Sequence, residues 1–261
     1  GPETANRNRY INIDPFAQNR IKLVVPTGRN AYINASPIKT TSTKNGQVKN
    51  FIATQGPRSD TCAHFWRMLW HETKSPAVIV MLTKLQEGGR EKCFQYYPES
   101  MANPFLQVNQ HDEYNDGLVM TVKLVSITRD PGSWTTIREL ELIRRDTNES
   151  RKVFHLLFEG WPDFLVPEDQ QALCNLVRLS QCKAKDLQNP RIVHCSAGVG
   201  RSGTFIALDW LLREFHTKDF AIKDIKDPIR DIVDQLREQR LTMVQSETQL
   251  AFLYKTMRGM W

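Results

Sequence analysis

The sequence predicts one α/β (α+β) domain, a mixed sheet flanked by helices, and three observations carry that prediction. Segments whose apolar residues alternate come first along the chain, segments with apolar residues at helical spacing come later, and no Pro/Gly/Ser-rich linker, repeat or low-complexity tract divides them. With 261 residues, 40% hydrophobic and 25% charged, the chain has the composition of an ordinary globular domain.

The elements follow in order. After an irregular start, residues 31–38 and 50–54 read as strands around a turn at Asn45-Gly46. Residues 59–72 read as a helix capped by Ser59 or Asp60, with Phe65, Met68 and Leu69 inward. Residues 77–83 read as a buried strand followed by a glycine-containing turn, and 99–117 as polar loop. Residues 118–128, 135–144 and 152–158 alternate as strands do. A helix over 168–182 follows Pro167 and gathers Leu173, Leu176, Val177 and Leu179 on one face. A short strand, 192–194, leads to a helix over 201–216 carrying Phe205, Leu208, Leu211, Leu212 and Phe215. Helices over 228–239, with Ile229, Ile232, Val233 and Leu236 together, and over 247–257 close the chain. Trp66, Trp70 and Trp210 fall on apolar helical faces, where core packing is their expected role.

Composition narrows the function. The longest apolar runs, 77–82 and 205–208, are too short to span a membrane, so no membrane contact is expected from this segment. The five cysteines, at 62, 93, 174, 182 and 195, form no CxxC pair and no cluster with zinc spacing. The odd count without a framework fits a reducing compartment. The expected location is the cytoplasm, the nucleus, or the cytosolic portion of a larger protein. A net charge of +6 and a pI near 9.1 favour anionic partners. Nucleic acid is one candidate, although the lysines and arginines are scattered rather than gathered in a stripe; a phosphorylated protein fits equally well, and charge alone decides nothing. The opening Gly-Pro is expected to be a protease-cleavage scar on an excised domain, and a monomer is assumed.

Residues 194–204, His-Cys-Ser-Ala-Gly-Val-Gly-Arg-Ser-Gly-Thr, carry the chemistry. Taken alone, a cysteine is usually a small buried hydrophobe, a Gly-rich turn only a turn, and an arginine opening a helix a solvated charge. Their order changes that reading. A strand ends at His194, and the thiol of Cys195 sits six positions before the guanidinium of Arg201. The small residues Ser196, Ala197, Gly198, Val199 and Gly200 between them can turn their N–H groups around an anion at a helix N-terminus. Thiolate, donor fork and amide ring together are what nucleophilic attack on a phosphate ester requires. The loop's amides, the helix dipole and Arg201 all favour the thiolate, which also makes Cys195 prone to oxidation by peroxide. The Ser202 hydroxyl either stabilises that thiolate or caps the helix.

The segment resembles the phosphate-binding loop of the protein tyrosine phosphatases, and the likeness covers almost the whole chain. It implies a highly twisted mixed sheet, with 1–261 as one catalytic domain. It also implies an enzyme that hydrolyses phosphotyrosine in proteins through a phosphocysteine, without metal or cofactor, with tyrosine-phosphorylated proteins and not nucleic acid as its partners. Trp161-Pro162-Asp163 resembles the family's mobile acid loop, making Asp163 the general acid and base and Phe164 a wall of the substrate site. Where the family usually has glycine, this chain has Leu165, which is expected to restrict that loop. Asn8-Arg9-Tyr10 resembles the phosphotyrosine-recognition segment, with Tyr10 lining a deep slot and Asn12 holding the substrate backbone. The family often has a basic residue where Ile11 stands, so a preference for acidic flanks is expected to be weakened. Tyr32-Ile33-Asn34-Ala35-Ser36, Thr54-Gln55-Gly56-Pro57 and Phe65-Trp66-Arg67-Met68 match further hallmarks. Glu87 and Lys92, in the segment running to Cys93 and Tyr96, match residues that orient the arginine and the acid loop. Met243-Val244-Gln245-Ser246 resembles the glutamine loop, in which Gln245 positions water and Gln249 assists; Arg237 and Arg240 precede it, Arg240 in a structural role, and Thr242 occupies a gateway position. The alternatives are a dual-specificity phosphatase, a phosphoinositide phosphatase, and an inactive phosphotyrosine-binding domain.

Overall fold

Eight strands form one sheet in the order β1-β2-β10-β3-β9-β8-β7-β6 in the computed structural model, which describes residues 4, 6–215 and 227–260. The strands are β1 (Ala35–Thr41), β2 (Val48–Thr54), β3 (Ala77–Met81), β6 (Phe105–Val108), β7 (Met120–Asp130), β8 (Thr135–Arg144), β9 (Ser150–Phe158) and β10 (Arg191–His194). A separate hairpin pairs β4 (Gln86–Glu87) with β5 (Arg90–Glu91). The central strands β2, β10, β3 and β9 are parallel and the outer pairs antiparallel, which makes the sheet mixed. The helices are α1 (Cys62–Glu72), α2 (Gln170–Ala184), α3 (Gly200–Phe215), α4 (Pro228–Gln239) and α5 (Glu247–Arg258).

Strand periodicity divides the core in two. On β3, Val78 and Val80 join the cluster that contains α2, α3 and α4, while Ala77, Ile79 and Met81 join the one that contains α1. Both faces of β3 are covered, so all five of its residues are buried, as a central parallel strand requires. α3 is surrounded by α2, α4, α5 and the sheet, and it is buried along nearly its whole length. The predicted stripe on α3 is thus a helix buried all round. Trp66, Trp70 and Trp210 all lie in the core.

Four of the departures from expectation have a local reason. β1 begins at Ala35 rather than at 31, because Tyr32 makes only an isolated bridge to Lys22 and the Asn34 amide turns to Asn8 and the Ile13 carbonyl. α1 begins at Cys62 after Thr61, with no side-chain cap. The Asp60 carboxylate is held by the Arg58 guanidinium instead. α2 begins at Gln170, capped by Asp169 through the Ala172 N–H. Within 99–117, Phe105–Val108 pairs with β7 as an edge strand despite its polar neighbourhood. The expected helix end at His216 lies outside the described residues.

Candidate active site

The parallel strands bring the loop to the carboxyl edge of the sheet, where His194 is level with Thr54 of β2 and Met81 of β3. This edge is where open α/β sheets bind ligands. α3 starts at Gly200, so its unpaired N–H groups and dipole face the loop.

The loop's shape follows from where its carbonyl groups go. Cys195 O accepts from His194 Nδ1 at 3.0 Å and Ser196 O from Gly56 N at 2.8 Å. Arg240 Nε donates to Gly198 O at 2.8 Å, and its Nη2 donates to Ala197 O at 3.1 Å. Val199 O accepts from Val244 N at 3.1 Å. Every carbonyl from 195 to 199 is thus tied to surrounding structure, which turns the intervening N–H groups inward as an anion-binding nest. Two glycines permit the fit. Gly198 has φ +75°, and a Cβ there would overlap the Thr54 carbonyl. A Cβ at Gly56 would lie 2.8 Å from the Cys195 and Lys92 carbonyl oxygens. Arg240 is fully buried and also donates to Asn34 Oδ1 and Ser36 Oγ. Burial lowers its pKa to about 10, which leaves it a cation at neutral pH.

Cys195 is 3% exposed and lines a cavity of about 240 Å³. Its Sγ accepts from Gly198 N–H and from the Ser202 hydroxyl, each at 3.3 Å. Ser202 lies inside α3 rather than at its cap position, so its hydroxyl serves the sulfur. Arg201 is completely buried, and its Nη1 donates to Glu87 Oε1 at 2.6 Å and to Trp161 O at 2.8 Å. Those two acceptors fix the plane of the guanidinium. Its Nε and Nη2 make no hydrogen bond to protein, and Nη2 lies 3.4 Å from Asp163 Oδ1. Burial pulls the Arg201 pKa down, but Cys195, Asp163 and Glu87 outweigh it and leave the pKa raised.

Asp163 reaches the cavity through backbone held on both sides. Trp161 Nε1 donates to Leu165 O at 2.9 Å, and Ser246 Oγ donates to Phe164 O at 3.0 Å. Asp163 Oδ2 is 3.1 Å from Lys92 Nζ. The residue here with positive φ is Phe164 (+60°), not Leu165, so the position usually held by glycine does not require one in this conformation.

Of the residues expected at the site, Tyr10, Asn12, Lys92, Asp163, Phe164, Cys195, Ala197, Gly200 and Gln245 line the cavity together. Ser196 lies behind it. Its hydroxyl donates to Lys92 O and so accepts from Tyr10 Oη at 2.8 Å, which joins the segment around Tyr10 to the loop. Gln249 does not line the cavity. Its Oε1 accepts from the Gln245 and Ser246 N–H groups, completing a capping box at the start of α5. Arg237 holds the same segment through the Met243 and Val244 carbonyls.

A buried chain extends behind the loop. Because His194 Nδ1 donates to Cys195 O, its Nε2 must accept, and Tyr96 Oη donates to it at 2.7 Å. The Tyr96 oxygen then accepts from His155 Nε2 at 3.0 Å. Burial lowers the pKa of His194 to about 4 and that of His155 well below the ordinary range. His155 and the cavity residues Ile13 and Arg90 were not among the residues expected from sequence. His155 belongs to an ordinary strand pattern, and Arg90 to a hairpin whose motif residues are its neighbours.

The sequence model of the family described as protein-tyrosine phosphatase matches residues 4–258. Tyrosine-protein phosphatase 1 of Saccharomyces cerevisiae is 35% identical over 278 residues, spanning 97% of this chain and 82% of its own length. Receptor-type tyrosine-protein phosphatase C of Homo sapiens is 33% identical over 98% of the chain, and the chain covers 18% of that protein. Phosphatidylinositol phosphatase PTPRQ of Rattus norvegicus is 38% identical over 97% of the chain, which covers 10% of it. The chain thus spans only a small part of two of these three relatives. Among the described residues, no helix is long and apolar enough to cross a membrane.

Proposed function

The chain belongs to the protein-tyrosine phosphatase family, and from that premise we propose that it hydrolyses phosphotyrosine in proteins through a phosphocysteine intermediate. The observation that carries the reading is the Cys195 sulfur in a walled cavity, accepting two hydrogen bonds, with Asp163 on the same wall and Arg201 fixed behind it.

In the first step Cys195 Sγ attacks phosphorus in line and forms the S–P bond. The bond from phosphorus to the tyrosyl oxygen breaks, and Asp163 gives its proton to that oxygen. Arg201 grips two phosphoryl oxygens through Nε and Nη2, the donors that make no hydrogen bond to protein. In the second step Gln245 positions a water and Asp163 takes its proton. The water oxygen bonds to phosphorus, the S–P bond breaks, and Cys195 leaves as a thiolate that accepts from Gly198 N–H and Ser202. The transferring group carries its charge on equatorial oxygens, so fixed amides and one planar cation lower the barrier by electrostatics. Tyr10, Asn12 and Phe164 hold the phosphotyrosyl side chain and its backbone. The span 1–261 acts as one catalytic domain, and its place of action is the cytoplasm, the nucleus, or the cytosolic portion of a larger protein.

The cheapest test is Asp163→Ala. Turnover of a phosphotyrosyl peptide should fall by roughly 10²- to 10⁴-fold, the usual contribution of general acid–base catalysis, while peptide binding is retained. A variant as active as the parent would remove Asp163 from its role. The PTPRQ relative, named a phosphatidylinositol phosphatase, makes a side-by-side assay necessary. Phosphotyrosyl substrates should be preferred over phosphothreonyl peptides and inositol lipids, and the reverse order would refute the substrate class.

A further inference from the structure

The charged side chains of the β4–β5 hairpin and its exit are matched in pairs, with one exception at the cavity. Glu87 holds Arg201 at 2.6 Å, Glu91 holds Arg9 at 3.1 Å, and Lys92 holds Asp163 at 3.1 Å. Arg90, between them, is exposed and lines the same cavity as Cys195. Among the described residues its guanidinium has no acidic partner. The other cation that lines the cavity, Lys92, is already held by Asp163. Ile11 is 94% exposed between the cavity residues Tyr10 and Asn12, and Phe164 and Leu165 are about half exposed beside Asp163. Among the described residues that line the cavity, Arg90 is therefore the one cation without an acidic partner.

We propose that Arg90 is a specificity-determining residue that selects phosphotyrosyl segments carrying a carboxylate side chain near the phosphotyrosine. The inference rests on the phosphotyrosine-hydrolase reading and refines its substrate class. An apolar Ile11 does not abolish selection for acid; it leaves that selection to the hairpin. The phosphoryl group itself occupies Arg201 and the loop amides, so Arg90 is left to meet a second anion farther along the substrate. An exposed ion pair of this kind is worth about three- to five-fold in kcat/KM at low ionic strength, and salt screens it.

The test uses two phosphotyrosyl peptides that differ only in Glu or Gln at the positions flanking the phosphotyrosine. They are compared with the parent protein, Arg90→Gln and Arg90→Glu, each checked for folding by thermal melting. The ratio of kcat/KM, acidic over neutral, should be about three to five for the parent, near one for Arg90→Gln and below one for Arg90→Glu. Added salt, roughly 0.5 M, should bring the parent's ratio toward one. A parent ratio of one, or an unchanged ratio in Arg90→Gln, overturns the proposal. Turnover of the neutral peptide by the parent is the separate control. If that peptide is not hydrolysed the underlying reading fails, whereas hydrolysis with a ratio indifferent to residue 90 sinks this inference alone.

Discussion

Acidification should destabilise the protein through His194 before the carboxylates protonate. The imidazole is fully buried, its Nδ1 donates to the Cys195 carbonyl and its Nε2 accepts from Tyr96. Burial brings its pKa from 6.5 to about 4. The unfolded chain takes up the proton near pH 6.5 and the folded chain only near pH 4, so between those values falling pH shifts the equilibrium toward the unfolded state. Stability from this group is whole above pH 6.5 and is lost as the pH falls toward 4. Linkage gives a loss of about 2 kcal/mol at pH 5 and about 3 kcal/mol once both states are protonated. His155, lowered in the same direction, adds to it. Urea unfolding at pH 7 and pH 5 measures the effect. With a slope of about 3 kcal/mol per molar, the midpoint should fall by roughly 0.7 M or more. His194→Asn should be less stable at pH 7 yet lose less on acidification, since the group that takes up the proton is gone. A parent midpoint that does not move between pH 7 and 5, or that moves no more than the variant's, would refute the argument.

Two further substitutions test the loop. Arg201→Lys keeps the charge but replaces a fork with a point donor, and Nη1 can no longer satisfy Glu87 and Trp161 O while other nitrogens hold phosphate. Steady-state kinetics should show a kcat loss of roughly 10²- to 10³-fold, and near-parental kcat would mean that bidentate grip is unimportant. Gly198→Ala puts a Cβ at φ +75° against the Thr54 carbonyl, so the loop must shift. The left-handed conformation alone costs about 1–2 kcal/mol. Calorimetry should find Tm lowered by roughly 4 °C or more together with lost activity, whereas an unchanged Tm would show that the loop yields freely.

How much of this was legible in the sequence depends on how local each feature is. The 194–202 loop was legible because nucleophile, amide ring and guanidinium are contiguous, and one strand-to-helix turn suffices to assemble them. The central strands and α3 were legible from their apolar patterns. The residues that complete the site come from distant segments. His155 joins His194 only through Tyr96, and Arg240 meets the loop from beyond α4, so neither contact leaves a periodic trace. Gln249 carries both a family position and a capping-box position, and the structure shows the second. Ser59 and Asp60 have capping chemistry, but a nearby arginine competes for the carboxylate and the helix starts after Thr61. β6 went unseen because an edge strand needs only one partner and tolerates polar flanks.

The most direct measurement is capture of the covalent intermediate. Gln245→Ala should slow attack by water more than attack by sulfur, so acid quenching during turnover of a phosphotyrosyl peptide should leave phosphate on the protein. Peptide mass spectrometry should then find an added mass of about 80 Da on Cys195, and none in a Cys195→Ser control. Phosphate on another residue, or peptide turnover that survives Cys195→Ser, would contradict a mechanism built on that sulfur.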